Sequence, residues 1–305
     1  MEFEKNFNTE EACRQYLFNL RWPDGFRCPR CNHEKAWPLV NALYECDKCN
    51  NKVSVIAGTI FHRTRKPLIL WFRAIWWLTR QKNGASAATI QKVMGLGSYK
   101  TAWAWLQKLR RTMITPGRDN LSGIVEVDET YIGGKKSGKR GRGAEGKSLV
   151  VVAVEVNDSN IGRIKLHRVK DASFQSLHDA ISKTVNKGSL IRTDKWRGYN
   201  GLDSIGYIHE VVRTSEEIGK DLLPNCHRVA SLLKRWLLGT HQSAVSQEHL
   251  DYYLDEYTFR FNRRTSTDRG KLFYRLLQNA VRIEPITFNE MKKNVRGIRL
   301  YKHYI

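Results

Sequence analysis

Two aspartates end two predicted strands in the central part of the sequence. Asp128 follows an apolar run that begins at Gly123, and Asp194 ends a similar run that begins at Ser189. If the two strands are neighbours in a sheet, these carboxylates lie side by side, and such a pair can hold divalent cations over a phosphate. One cation then activates the attacking oxygen and the other supports the leaving oxygen. The pattern predicts a metal-dependent phosphoryl-transfer site whose third ligand comes from a later helix.

Four of the six cysteines form a separate group near the amino terminus. They make two Cys-x-x-Cys pairs separated by fourteen residues: Cys28 with Cys31, and Cys46 with Cys49. Each short turn can aim two thiolates at one point, so the spacing predicts a closed, structural Zn2+ site with four thiolate ligands. The alternative is two redox pairs, but no strand and helix of the thioredoxin type surround them.

The charge of the whole chain indicates an anionic partner. Its 305 residues include 52 Lys and Arg against 30 Asp and Glu, a formal net charge of +22. This balance favours nucleic acid, although basic surfaces also occur on proteins that never contact DNA. No run of about eighteen apolar residues is present and the first residues are polar, which argues against a membrane span and a secretory signal. We therefore expect a cytoplasmic, nucleoid-associated protein with no membrane partner.

Helical patterns follow the cysteine pairs. After Pro67, apolar residues recur at intervals of three and four, which predicts one buried helix. Ser86 can cap a short helix, two glycines then break the chain, and Ser98 can cap a longer helix. This order is typical of a helix-turn-helix, in which Ser98, Tyr99 and Lys100 would contact DNA. The alternative is a helical hairpin that joins two domains.

The central part of the sequence alternates between strand and helix patterns. Strands are predicted over residues 123–130, 148–156, 162–169, 189–194 and 207–212. One helix is predicted over Ser173–Val185, between the third and fourth strands, and another begins at Pro224. Three consecutive strands suggest a meander, and the helix before the fourth strand predicts an α/β domain.

Two basic clusters are further candidates for contact with DNA. The glycine-rich segment 133–143 is predicted to be a mobile hairpin tip. Its cationic side chains are Lys135, Lys136, Lys139, Arg140 and Arg142. The second cluster consists of Arg260, Arg263 and Arg264. We expect both clusters to contact phosphates, and the alternative for each is an ordinary solvated surface.

Several blocks of the sequence resemble the signature blocks of the zinc-ribbon insertion-sequence transposases called the IS1595 family. The blocks are Val125–Gly134, Thr193–Tyr199, Leu232–Arg235 and Tyr253–Arg264. Together with the cysteine pairs, the resemblance covers most of the chain. It implies a ribonuclease H-like catalytic fold of the DDE type with a mixed five-stranded sheet. It also implies catalytic Mg2+ ions, and strand cleavage and transfer at transposon ends.

The resemblance also assigns roles to individual residues. Asp128 matches the first catalytic carboxylate of the family, and Asp194 matches the second. Where many relatives have Glu or Asn seven residues before a lysine, this chain has His227 seven residues before Lys234, which resembles a DDH-type branch. Seven residues are two helical turns, so both side chains share a helix face, where the lysine can contact phosphate. Imidazole suits Mn2+ better than Mg2+, so the preferred ion, or a role of His227 in proton transfer, stays open.

Two glutamates flank the first aspartate. Glu126 points to the same strand face as Asp128 and can support it, whereas Glu129 points away and is expected to pair with a basic residue. Neither glutamate is a first choice for a catalytic role.

These patterns predict four segments and one function. Residues 1–62 contain the zinc ribbon, 63–118 a helix-turn-helix domain, 119–270 the catalytic domain and 271–305 a C-terminal basic tail. The predicted function is a DNA transposase that binds terminal inverted repeats of double-stranded DNA as a homo-oligomer, then cleaves and transfers strands. The alternatives are a zinc-dependent transcription regulator and a metal-dependent nuclease without strand transfer.

Overall fold

The computed structural model describes residues 2–114, 120–133, 147–158, 160–212, 222–242 and 245–293. The chain divides into two compact units, one formed by Met1–Ile114 with Thr267–Ile305 and the other by Thr115–Ser266. The cationic residues predicted at the hairpin tip lie outside the described residues, namely Lys135, Lys136, Lys139, Arg140 and Arg142. Among the described residues, no helix is both long and apolar enough to cross a bilayer.

The secondary structure follows the predicted order in the central part and adds helices at both ends. The helices are α1 (Glu2–Asn6), α2 (Glu10–Arg21), α3 (Leu68–Arg80), α4 (Ala87–Val93), α5 (Tyr99–Arg111), α6 (Phe174–Thr184), α7 (Pro224–His241), α8 (Leu250–Phe261), α9 (Arg269–Ala280) and α10 (Phe288–Lys292). The strands are β1 (Ala36–Pro38), β2 (Leu43–Cys46), β3 (Lys52–Ser54), β4 (Ile124–Ile132), β5 (Ser148–Asn157), β6 (Asn160–Val169), β7 (Leu190–Thr193) and β8 (Ile208–Val211).

The three short strands of the first unit form an antiparallel ribbon in the order β1-β2-β3. Ala36 pairs with Cys46, and Glu45 pairs with Lys52. Most side chains of these strands are half-buried or exposed. Such a ribbon has little apolar core of its own, so it needs another source of stability, such as a bound metal.

Helices α2, α3 and α9 contact one another and form the apolar core of the first unit. Phe72 of α3 meets Phe273 of α9 edge to face, with ring centroids 5.8 Å apart. Trp71 of α3 stacks on Trp105 of α5 at 3.7 Å, and both indoles are buried. These tryptophans therefore serve packing, as the helical spacing of the apolar residues predicts.

The segment after residue 271, predicted as a basic tail, begins inside helix α9. Its buried side chains are Leu272, Phe273, Leu276 and Leu277. Their spacing makes one apolar stripe on the helix, and Asp268 caps the helix by accepting a hydrogen bond from the backbone N–H of Lys271 at 3.2 Å. These residues therefore belong to the core of the first unit and are not a tail.

The second unit is built on a mixed five-stranded sheet in the order β6-β5-β4-β7-β8. Strands β4, β5 and β6 are antiparallel neighbours, while β7 runs parallel to β4 and β8 parallel to β7. The return from β6 to the parallel strand β7 passes through helix α6, as parallel pairs require. The predicted α/β architecture with a mixed five-stranded sheet is confirmed.

Each face of this sheet carries its own apolar core. Val125 and Val127 of β4 pack with Leu177 of α6 on one face. Val152 of β5 packs with Val229 of α7 on the other face. Because side chains alternate along a strand, the even-numbered residues of β4 point toward α7.

Candidate active site

The two aspartates follow the paired part of two neighbouring strands. Strands β4 and β7 are parallel, and their pairing ends with Glu126 opposite Arg192. Asp128 lies two residues further along β4, and Asp194, which directly follows β7, lies two residues beyond Arg192. Neighbouring strands lie about 4.8 Å apart, and residues two positions apart share a face, so both positions lie on the α7 side of the sheet. The carboxylate of Asp194 also acts electrostatically on Asp128.

Helix α7 carries His227 to the same place. The imidazole Nε2 of His227 lies 3.2 Å from Oδ2 of Asp128. One face of α7 and the end of the central strands enclose a cleft of about 440 Å3. The cleft is lined by Asp128, Glu129, Thr130, Val152, His227, Ala230, Ser231 and Lys234. Two helical turns after His227, the ammonium group of Lys234 therefore lies in the same cleft.

The environment of Asp128 disfavours its ionised form. Its side chain is 19% exposed, and burial raises its pKa from 3.8 to about 6. The carboxylates of Glu129 and Asp194 contribute to this rise in pKa, while the backbone N–H of Glu129 and His227 oppose it. A buried carboxylate of this kind is normally compensated by a cation or by hydrogen bonds.

Two lysines contribute positive charge near this carboxylate. Burial lowers the pKa of Lys234, and the neighbouring charge of Lys147 lowers it too, whereas Asp128 raises it. The cleft therefore combines carboxylates with ammonium groups, an arrangement that suits a phosphodiester and its counter-cation.

The residues after β7 hold Asp194 in place. The backbone N–H of Trp196 donates to Oδ1 of Asp194 at 3.0 Å. The indole N–H of Trp196 donates to the carbonyl of Ala172 at 2.8 Å. Gly198 passes so close that a Cβ on it would lie 2.7 Å from the same carbonyl and 2.7 Å from the indole nitrogen. Only glycine fits there without displacing the Trp196 anchor.

We therefore expect Gly198→Ala to destabilise the second unit by about 1–3 kcal/mol, the range typical of overpacking, and to lower any activity that needs Asp194. Gly239→Ala in α7 is the matched control, because a Cβ there meets no atom within 4 Å. The control should leave stability unchanged or raise it by about 1 kcal/mol. Denaturant unfolding of both variants measures the difference, and equal midpoints would contradict the close approach at Gly198.

Glu129 lines the cleft next to Asp128, and the hydroxyl of Tyr199 donates to its Oε2 at 2.5 Å. The pairing of Glu129 with a basic residue stays a prediction. Tyr199 is fully buried, and burial raises its pKa well above 10, so the phenol stays a neutral donor. Local sequence patterns predict no role for Tyr199 or Trp196, although both lie in the block Thr193–Tyr199.

The predicted DNA contacts of the first unit lie at the amino end of helix α5. Ser98 precedes this helix, but its side chain makes no capping hydrogen bond, whereas Ser86 caps α4 by accepting from the N–H of Thr89. Tyr99 and Lys100 are both exposed. Helices α4 and α5 are present as predicted and contact each other, and their role in DNA binding stays a prediction.

The three arginines predicted to contact DNA phosphates make contacts within the second unit. Arg260 pairs with the fully buried Glu256 at 2.8 Å. Arg263 lies over the ring of Phe259 at 4.3 Å. Arg264 donates to the carbonyl of Gly162 at 3.2 Å. These contacts give each arginine a structural role, and contact with DNA stays a prediction.

The four cysteines converge on one point in two matching turns. Their sulfur atoms all lie within 4.8 Å of one another, with Cys28 to Cys49 at 3.6 Å and Cys31 to Cys46 at 3.5 Å. A tetrahedral ion with Zn–S bonds of about 2.3 Å needs sulfur atoms about 3.8 Å apart, so the group fits one zinc ion. A closed shell of four sulfurs leaves no position for substrate, and the metal is therefore structural.

Both turns have the same backbone conformation and hydrogen bond. The residue after each pair is an asparagine in the left-handed region, Asn32 at φ 60° and Asn50 at φ 55°. Each asparagine N–H donates to the carbonyl of the first cysteine of its pair, at 2.9 Å in the first turn and 3.0 Å in the second. Asparagine tolerates this conformation better than most residues, which explains its place in both turns.

The acidic site is more open than the cysteine site. Within the described ranges, the cysteines are the one group of three or more such ligands whose atoms all lie within 4.8 Å of one another. The ligand atoms of Asp128, Asp194 and His227 are therefore more widely spaced. Their donor set still fits Mg2+ or Mn2+, because these ions are usually held by one or two carboxylates while water and substrate phosphates supply the remaining ligands.

Comparison with known proteins finds two separate matched regions along the chain. Residues 120–262 match the ISXO2-like transposase domain, and residues 8–52 match the transposase zinc-ribbon domain. The chain is also 27% identical over 277 residues to an uncharacterized protein in transposable element ISH50 of Halobacterium salinarum, covering 84% of this chain and 92% of that relative. The resemblance inferred from the sequence blocks is confirmed. Helices α3 to α5 lie between the two matched regions.

Proposed function

Because this chain carries a transposase zinc ribbon and an ISXO2-like transposase domain of the IS1595 family, we propose that it is a DNA transposase that binds the terminal inverted repeats of its element and performs metal-dependent strand cleavage and transfer. The observation that carries the proposal is the 3.2 Å contact of Asp128 with His227, together with the electrostatic effect of the Asp194 carboxylate on Asp128. All three residues lie inside the matched transposase domain.

In the proposed site, Asp128, Asp194 and His227 would hold divalent metal ions. When bound, such ions stabilise the charge that develops on a reacting phosphate and activate oxygen nucleophiles. His227 and Asp128 fix each other's orientation through their contact. Lys234 supplies an ammonium group for a phosphodiester oxygen on the same side of the cleft. The backbone N–H of Trp196 fixes one oxygen of the Asp194 carboxylate by its hydrogen bond.

The proposed reaction has two phosphoryl transfers of the same type. In the first, water attacks the phosphodiester at the element's end and the freed 3′-hydroxyl leaves. In the second, that hydroxyl attacks a target phosphodiester in line, a new P–O bond joins the element's end to the target, and the 3′-hydroxyl of the cut target strand leaves. Neither step needs a covalent intermediate with a side chain, because positioning and charge stabilisation carry the catalysis.

DNA recognition is proposed for the first unit. The zinc ribbon matches the transposase zinc-ribbon domain. Tyr99 and Lys100 are exposed at the start of helix α5, where a helix that enters the major groove would meet base edges. The net charge of +22 supports binding to phosphates and predicts affinity that falls steeply with salt. Since both ends of an element are processed together, we propose a homo-oligomer on DNA.

The test uses the full chain, zinc-loaded, with DNA that carries the inverted repeats flanking its own coding region. We expect cutting at the repeat ends in Mg2+ or Mn2+, and joined product when pre-cut ends are mixed with a target plasmid. Binding without any cutting would replace the proposal with a zinc-dependent transcription regulator. Cutting without joining would replace it with a metal-dependent nuclease.

A further inference from the structure

Helix α7, which carries His227, has no capping side chain at its own start. The preceding residue is Leu223, and Pro224 in the first turn has no N–H. The backbone N–H groups of Asn225 and Cys226 instead donate to Oε2 of Glu126, at 3.0 and 3.1 Å. The side-chain amide of Asn225 donates to Oε1 of Glu126 at 2.7 Å. One carboxylate from strand β4 therefore caps the helix with three hydrogen bonds.

Glu126 is close in the chain to Asp128 and contacts the residue next to His227. Glu126 lies two residues before Asp128 on the same face of β4, and Cys226 directly precedes His227. The Glu126 side chain is 5% exposed, so water competes little for its hydrogen bonds. A carboxylate at a helix amino terminus also gains from the helix dipole, and charge-assisted hydrogen bonds are the stronger kind. Sliding or turning α7 against β4 would disturb these hydrogen bonds together with the contact of His227 with Asp128.

We propose that Glu126 is a positioning residue that fixes helix α7 on strand β4 and so holds His227 against Asp128. This inference rests on the proposed function of the site, since the pair matters only if it serves a bound cation. Glu126 itself contacts the helix start and acts through His227.

The variant Glu126→Gln tests the proposal with nearly unchanged volume. An amide offers one acceptor oxygen where the carboxylate offers two, and its NH2 group would face the N–H donors of α7. Glu155→Gln is the matched control. Glu155 lies opposite Val125 in the sheet, is 6% exposed, and accepts hydrogen bonds from Ser122 and Arg163. Its contacts lie on the other face from α7, so it reports the cost of removing a buried carboxylate from the same sheet.

The readout is the affinity of the zinc-loaded full chain for Mn2+ alone, measured by electron paramagnetic resonance without DNA. We expect Glu126→Gln to weaken Mn2+ binding about 10- to 100-fold, the range typical of residues that orient metal ligands, and Glu155→Gln to leave it unchanged. In a His227→Ala background, Glu126→Gln should weaken binding no further, because its effect passes through the imidazole.

Equal Mn2+ affinities of Glu126→Gln and Glu155→Gln would overturn the inference. So would an undiminished effect of Glu126→Gln in the His227→Ala background, or no Mn2+ binding by the wild-type chain. If Glu126→Gln does not fold, Asn225→Ala is used instead, because it removes one of the three hydrogen bonds and should also weaken Mn2+ binding. An unchanged Mn2+ affinity of Asn225→Ala would then overturn the inference. Failure of the wild-type chain to cut its terminal DNA would instead overturn the proposed function, because the Mn2+ readout needs no cleavage.

Discussion

Asp128→Asn should abolish strand cleavage while leaving the binding of terminal DNA intact. The substitution keeps the shape of the side chain but removes the negative charge that lies 3.2 Å from His227 and interacts electrostatically with Asp194. Loss of a central metal-binding carboxylate is expected to cost several kcal/mol of transition-state stabilisation, and about 4 kcal/mol corresponds to a thousand-fold fall in rate. Cleavage of a labelled inverted-repeat duplex in Mg2+ and in Mn2+ measures the loss.

The same variant should be more stable than the wild-type chain in the absence of divalent cations. Burial raises the pKa of Asp128 from 3.8 to about 6, so the folded state disfavours the ionised carboxylate. This shift corresponds to at most about 3 kcal/mol. The cost is absent below pH 4, grows as the pH rises, and is complete above about pH 6. The neutral amide of Asp128→Asn avoids it, so the variant should melt a few degrees higher at pH 8 and equally at pH 4.

A matched control separates the charge of Asp128 from the general loss of an acid. Asp171→Asn lies in the same unit, where its carboxylate accepts hydrogen bonds from the backbone and side chain of Ser173 at the start of α6. This exposed residue lies outside the cleft, so its substitution should keep full cleavage. Cleavage by Asp128→Asn at the wild-type rate, or equal loss in both variants, would remove Asp128 from the site.

The second unit could be predicted closely from local patterns. Alternating and continuous apolar runs marked its strands, and helical spacing marked α6 and the start of α7 at Pro224. Strand β4 runs to Ile132, beyond the predicted end, so Asp128 lies within the strand, whereas Asp194 directly follows β7 as predicted. The role of both acids stays a prediction. Such predictions succeed when the pattern and the tertiary contact involve the same short segment.

What sequence patterns missed depends on contacts between distant segments. Glu126 caps a helix 99 residues away, and Tyr199 donates to Glu129 across 70 residues. A glutamate in a strand and a tyrosine at the end of a short 3-10 helix have no local signature for such partners. Helix α9 was missed for a different reason. The basic residues of this segment suggested a tail, and the apolar residues from Leu272 to Leu277 were not read as one face of a helix.

Loss of the zinc site should remove specific DNA binding. Cys46→Ser takes away one of four thiolates in a ribbon whose strands bury few side chains, so metal affinity and ribbon order should fall together. Structural zinc contributes about 10–16 kcal/mol in small zinc domains, more than this ribbon can replace by packing. If the ribbon reads the terminal repeat, affinity for that DNA should fall toward non-specific binding, about a thousand-fold weaker. Zinc content and a gel-shift titration at fixed salt measure both effects.

Cys13→Ala is the control for this experiment, because Cys13 is equally buried but lies in helix α2, outside the four-cysteine group. It should retain one zinc ion per chain and normal binding of terminal DNA. The second unit has apolar cores on both faces of its sheet, so Cys46→Ser should leave the circular dichroism of that unit largely intact. Residual cutting of pre-bound or concentrated DNA by Cys46→Ser would then assign recognition to the ribbon and chemistry to the Asp128 site. Wild-type affinity of zinc-free Cys46→Ser for the terminal repeat would show that the ribbon does not read it.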